Sequence, residues 1–272
     1  MIRSNRGQGD TSPGHERIEK GRKSFQVGET LLHFSNVNAG YGRVKILSEL
    51  SFEVKTGEVF GVIGPNGCGK TTMFNALLGL IIPYNGEIMF NGHNITKKGP
   101  AERCRMGIGR TYQVPRPFEK MTVFENVLLA AVYGGKHSEK SGYPVAEDAL
   151  RRTGLFEKRN EVSGKLTLLD RKRLEVARAL GTEPILLLLD EVAAGLTEAE
   201  VRDVMALVES LKQSGLTIIW VEHVIETMVK STDTLMCMST GTQLLIGDPV
   251  EVMDSKQVEE VYLGVEEDED EL

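Results

Sequence analysis

Gly64-Pro65-Asn66-Gly67-Cys68-Gly69-Lys70-Thr71 is the stretch from which the rest of the chain can be read. It matches the pattern G-x-x-x-x-G-K-[ST], known as Walker A. An apolar strand-like segment, Val59 to Ile63, precedes it, and the spacing predicts a helix from Lys70 to about Leu80 after it. Gly64, Gly67 and Gly69 let the backbone curl so that several N–H groups face one point. The helix N-terminus adds partial positive charge there. Such a turn is a cradle for phosphate. Within it, Lys70 is placed to hold β- and γ-phosphates. Thr71 is placed to set its hydroxyl on Mg²⁺, and Thr72 to touch the α-phosphate. Pro65 and Asn66 complete the loop, and Cys68 is expected to contribute backbone while its thiol faces away.

Moving downstream, Ile185 to Leu189 is an apolar, strand-sized run that ends in Asp190 and Glu191. Asp190 suits a Mg²⁺ contact made through water or through another ligand of the ion. Glu191, one residue on, points elsewhere and suits polarisation of an attacking water. Thr217 to Val221 is a second buried strand, followed by Glu222 and His223. In a parallel sheet the carboxyl ends of the strands lie on the ligand side, which brings His223 within reach of a γ-phosphate.

The remaining segments fit the same architecture. Leu31 to Val37 and Leu50 to Val54 read as strands, and Pro83-Tyr84-Asn85-Gly86 and Asn91-Gly92 as turns around a short strand, Glu87 to Phe90. Residues 100 to 180 look mostly helical, a plausible inserted lobe, with 134 to 144 expected as a surface loop. Val201, Val204, Met205, Val208 and Leu211 fall at helical spacing, and Gly215 ends that helix. Leu235 to Met238 and Gln243 to Ile246 read as a hairpin. Strands alternating with helices imply an α/β fold with a mainly parallel sheet.

Bulk properties exclude several classes. The 272 residues suit one large domain with an inserted lobe. A net charge of −7 argues against broad nucleic-acid binding. Cys68, Cys104 and Cys237 lie far apart and form neither a disulfide framework nor a zinc site. No apolar run approaches a membrane span, so any membrane role needs a partner. Residues 1 to about 28 read as a flexible tail, and 266 to 272 as a solvated acidic tail.

With these parts in order, the chain resembles the nucleotide-binding domains of ATP-binding-cassette (ABC) transporters, over about residues 29 to 265. It is most similar to the ATPase subunits of branched-chain amino acid importers. Gly109-Arg110-Thr111-Tyr112-Gln113, with Met121 to Val127, resembles their Q-loop region. Arg171 to Leu180 resembles their signature helix, and Gly247-Asp248-Pro249 and Val261-Tyr262-Leu263-Gly264 their ending.

The resemblance implies a P-loop NTPase of ABC type, with an antiparallel β subdomain and a helical lobe at about 101 to 180. It makes Gln113 a sensor of Mg²⁺ and γ-phosphate, Tyr41 the aromatic that stacks on adenine, Glu191 the catalytic glutamate and His223 the switch histidine. Ala194 to Thr197 would cross to a second subunit. ATP and Mg²⁺ are the implied ligands. The implied partners are a second ABC ATPase, identical or paralogous, integral membrane permease subunits and, indirectly, a solute-binding protein. The implied location is the cytoplasmic face of the plasma (inner) membrane, as a peripheral subunit. A urea or amide importer, a lipid or lipopolysaccharide exporter, and a soluble non-transport cassette are the alternatives.

One departure stands out. Where the family reads L-S-G-G-Q, this chain has Leu166-Thr167-Leu168-Leu169-Asp170. Thr167 keeps a hydroxyl for the γ-phosphate held by the opposite subunit, but Asp170 brings negative charge, unfavourable there unless Mg²⁺ or Arg171 and Arg173 screen it. Either catalysis tolerates this variant or the signature side is impaired. Intact Lys70, Gln113, Asp190, Glu191 and His223 favour tolerance.

Overall fold

Thr30–Tyr41 (β1) largely alternates buried and more exposed side chains, as a strand does with one face on a core. It pairs antiparallel with Val44–Lys55 (β2). Val59–Ile63 (β3) is buried at every position, as a central parallel strand must be. Lys70–Leu77 (α1) follows the glycine-rich loop. Asn85–Phe90 (β4) and His93–Asn94 (β5) then complete a four-stranded antiparallel sheet of order β2-β1-β4-β5. The computed structural model describes residues 28–263. The N-terminal tail, Gly28 apart, and the acidic tail lie outside them.

Next come Pro100–Arg105 (α2), Ile108–Arg110 (β6), Val123–Tyr133 (α3), Glu139–Arg152 (α4) and Leu168–Gly181 (α5). Leu186–Asp190 (β7), Glu198–Gln213 (α6), Thr217–Val221 (β8) and Ile225–Ser231 (α7) follow. The expected hairpin is Thr234–Ser239 (β9) and Thr242–Gly247 (β10), and Pro249–Met253 (α8) and Lys256–Leu263 (α9) close the described chain. The second sheet has the order β10-β9-β3-β8-β7-β6 and is parallel except for β10 at its edge.

Period-2 alternation divides the core in two. Phe60, Val62, Leu186, Leu188, Ile219, Val221, Met236 and Met238 face the antiparallel sheet and α1. Their chain neighbours Val59, Ile63, Leu187, Leu189, Ile218, Trp220, Leu235 and Cys237 face α5, α6 and α7. Each large apolar side chain buried this way contributes roughly 1.5–3 kcal/mol.

Three expectations need correction. α1 stops at Leu77 rather than Leu80, because Gly79 turns left-handed (φ +73°). The stretch 134–144 is a loop only as far as Ser138. Ser138 caps α4 by accepting from the Ser141 N–H at 3.2 Å, and Pro144 lies inside that helix. Packing overrides its helix-breaking residues: a Cβ on Gly142 would meet Leu128 at 3.1 Å, so glycine permits the close approach of α3. Finally, β6 lies within the stretch expected to be helical, yet it is the edge strand of the parallel sheet.

Candidate active site

The carboxyl ends of the parallel strands converge. β3 opens into the phosphate loop, β6 leads to Gln113, β7 ends in Asp190 and Glu191, and β8 leads to His223. Residues far apart in the chain meet there only because those strands are parallel neighbours.

The loop is fixed from behind. Gly64 (φ +146°) sits where a Cβ would lie 2.3 Å from the Met238 carbonyl oxygen. Its N–H donates to the Tyr262 hydroxyl at 2.7 Å, and burial pushes that phenol up to about 12, so it is protonated at neutral pH. The Gly241 N–H, in the β9–β10 turn, donates to the Cys68 carbonyl at 2.9 Å. The Lys70 ammonium, itself buried, donates to the carbonyls of Gly64 (2.6 Å) and Pro65 (3.1 Å). Among the described residues, the amides of Asn66, Gly67 and Gly69 donate to no backbone carbonyl. Unpaired amides around an ammonium at a helix N-terminus suit a polyphosphate. Thr71 is exposed at this mouth, Thr72 is buried, and the Cys68 thiol is buried behind the loop.

Opposite lies an acid cluster with distinct supports. The Glu191 carboxylate accepts from Gln113 Nε2 at 2.5 Å through one oxygen and contacts His223 Nε2 at 2.8 Å through the other. Asp190 is buried and paired with Arg110, Nη2 to Oδ2 at 2.7 Å. Arg110 also donates to Asn75 Oδ1 at 3.3 Å, and Asn75 Nδ2 donates to the Tyr41 hydroxyl at 2.7 Å. A polar chain thus runs from the half-exposed Tyr41 ring to Asp190. The Arg110 Nε is buried without a hydrogen-bond partner among the described residues, and its guanidinium lies over the Tyr112 ring at 5.1 Å.

Thr167 stands apart from these groups. It is the N-cap of α5, its hydroxyl accepting from the Asp170 N–H at 3.3 Å. Asp170 is paired with Lys158, rather than with either of the arginines that follow it. Arg171 donates instead to the carbonyls of Leu166 and Gly164, and Arg173 pairs with Asp203. The apolar surface between Gln113 and α3 is divided. Phe118 is exposed, whereas Phe124 packs on the core and against Tyr143.

Sequence reasoning missed Arg110, Asn75, Lys172 and Glu222. Arg110 lies inside the Gly109–Gln113 motif, and nothing local marks a residue whose partner lies 80 positions away. For Glu222, an acid following an apolar strand gave a faint signal.

Comparison with known proteins agrees with this geometry. The family model for the ABC transporter matches residues 47–194. A probable branched-chain amino acid transport ATP-binding protein, LivG of Archaeoglobus fulgidus, is 34% identical over 255 residues, covering 88% of this chain and 97% of its own. The lipopolysaccharide export system ATP-binding protein LptB of Acidithiobacillus ferridurans is 33% identical over 241 residues, covering 86% and 97%. The crystal structure of the ADP conformation of MJ1267, an ATP-binding cassette of an ABC transporter, superposes with a TM-score of 0.80 at 30% identity, covering 87% of this chain and 99% of that one. This chain belongs to the ABC transporter family, as one of its nucleotide-binding ATPase cassettes.

Proposed function

We propose that this chain binds Mg²⁺-ATP at Gly64–Thr72 and hydrolyses it as one half of a head-to-tail dimer that drives membrane permease subunits. The relatives named for branched-chain amino acid transport support an importer of such solutes, fed by a solute-binding protein. The chain would then sit at the cytoplasmic membrane face through its permeases. No helix among the described residues is long and apolar enough to cross a membrane.

The carrying observation is the Glu191 carboxylate held at both oxygens by Gln113 and His223. A carboxylate so oriented can align a water and accept its proton, and His223, its neighbour, would contact the γ-phosphate. Lys70 and the loop amides grip the phosphates, and Tyr41 offers an exposed ring face to adenine. Thr71, Gln113 and Asp190 are the residues that would hold Mg²⁺. When bound, that ion supplies neutralisation of phosphate charge. Thr167 and the N-terminus of α5 would meet the nucleotide of the second subunit, identical or paralogous. Pairing of Asp170 with Lys158 removes the like-charge objection to that contact.

Glu191→Gln should keep Mg²⁺-ATP binding and lower the turnover rate by about 10²- to 10⁴-fold. Equal turnover in both proteins would refute the assignment. The LptB relative favours a second reading, an exporter ATPase. Identifying the membrane subunits that copurify from native membranes separates the two.

A further inference from the structure

Glu191 occupies an unusual backbone position. Its φ is +49°, a left-handed conformation that residues with a Cβ adopt only at an energetic cost. Such a residue persists only where its surroundings fix it, and here both backbone groups of Glu191 are engaged. The Glu191 N–H donates to the Val221 carbonyl at 2.9 Å. The Glu191 carbonyl accepts from the Ala194 N–H at 3.2 Å and from the Lys172 ammonium at 2.9 Å. The Ala193 N–H donates to Glu222 Oε1 at 2.6 Å, and the other oxygen of Glu222 accepts from the His223 N–H at 3.4 Å.

Lys172 and Glu222 are both buried, and neither is among the groups assigned above to the nucleotide. Burial lowers the Lys172 ammonium from its usual range and raises the Glu222 carboxyl, and each feels the other's charge. A buried ammonium aimed at a backbone carbonyl is costly unless the geometry it enforces is useful.

We propose that Lys172 is a positioning residue for Glu191. Through the carbonyl it holds the turn left-handed and so sets where the carboxylate lies, with Glu222 supporting the same turn from the His223 side. Lys172 sits on α5, whose first turn begins at Thr167. A shift of that helix therefore reaches Glu191 directly, which gives the cassette a mechanical route from the signature end of α5 to the water-polarising acid. The inference rests on the hydrolytic reading above.

Three variants test it: Lys172→Met, Lys172→Arg, and Lys172→Met combined with Glu222→Gln, which removes both buried charges together. Each is assayed for thermal unfolding, for Mg²⁺-ATP affinity by calorimetry and for kcat. The expected result is a kcat about 10- to 100-fold lower in Lys172→Met with nucleotide affinity unchanged. Lys172→Arg should lose less, because it keeps a cationic donor. A Lys172→Met protein that folds and turns over at the wild-type rate overturns the proposal.

If Lys172→Met is unstable, the double variant decides. Stability regained with kcat still low supports positioning, whereas kcat regained shows that only charge balance mattered. Loss of the fold in both assigns the pair to stability and overturns the proposal. A wild-type chain that binds Mg²⁺-ATP but hydrolyses none sinks the underlying reading instead, a result distinct from any of these.

Discussion

At the scale of single residues, the site is defined by what each charge has for company. Asp190 has Arg110, Asp170 has Lys158, and Glu191 has Gln113 and His223. Glu222 differs, because no ion-pair partner lies within reach of a salt bridge among the described residues, and burial raises its pKa above the usual glutamate value. A carboxyl with a raised folded-state pKa contributes stability that is fully present below its unfolded pKa of about 4.3. That contribution is lost as pH rises through the folded pKa. Glu222→Gln mimics the protonated form. Unfolding titrations across pH should therefore show wild type losing stability relative to Glu222→Gln as pH rises from about 4 toward neutrality. A difference independent of pH would contradict the account. The motif residues themselves were legible in the sequence, because Walker A is contiguous and strand-end acids follow an apolar run. Their supports were not. Arg110, Asn75 and Lys172 act across the fold, and nothing in local spacing ties Lys172 to a carbonyl on another element.

At the scale of elements, the helix that carries the phosphate loop is secured at its far end by one arginine. The last turn of any helix leaves carbonyls without intrahelical donors. Arg103, on α2, is wholly buried and donates to the carbonyls of Ala76 (2.5 Å) and Leu77 (2.7 Å) of α1. It donates also to Thr96 (2.9 Å) and Lys98 (2.8 Å), and burial lowers its guanidinium to about 10. Arg103→Met keeps most of the volume but removes the donor to the carbonyls of Leu77, Thr96 and Lys98, while Ala76 keeps the Gly79 N–H. It should cost about 3 kcal/mol, read as a lower urea midpoint with unchanged slope. A shift below about 0.5 kcal/mol, the level of an ordinary surface change, would contradict this role. Strands buried on both faces and the amphipathic α6 could be read from periodicity. β6 could not, being Ile108-Gly109-Arg110 with no room for a pattern. The first turns of α4 were equally hidden, since Gly142 and Pro144 argue locally for a loop and only contact with α3 makes them helical.

At the scale of the whole molecule, one parallel sheet with a core on each face holds five strand ends in fixed relation, and that relation is the machine. Alternation of strands and helices already implied this sheet, and the family resemblance added the antiparallel sheet that packs across its other core. What the chain alone could not disclose was which ends meet, because strand order within a sheet depends on crossovers and not on sequence order. On the proposed function, the cradle at Gly64–Thr71 grips a magnesium triphosphate. Calorimetric titration with Mg²⁺-ATP tests it most directly, comparing wild type with Lys70→Ala. The account predicts saturable binding in the range of about 1 μM to 1 mM for wild type, and loss of most of that affinity in the variant. No heat from the wild-type protein, or equal affinity in the two, would contradict it.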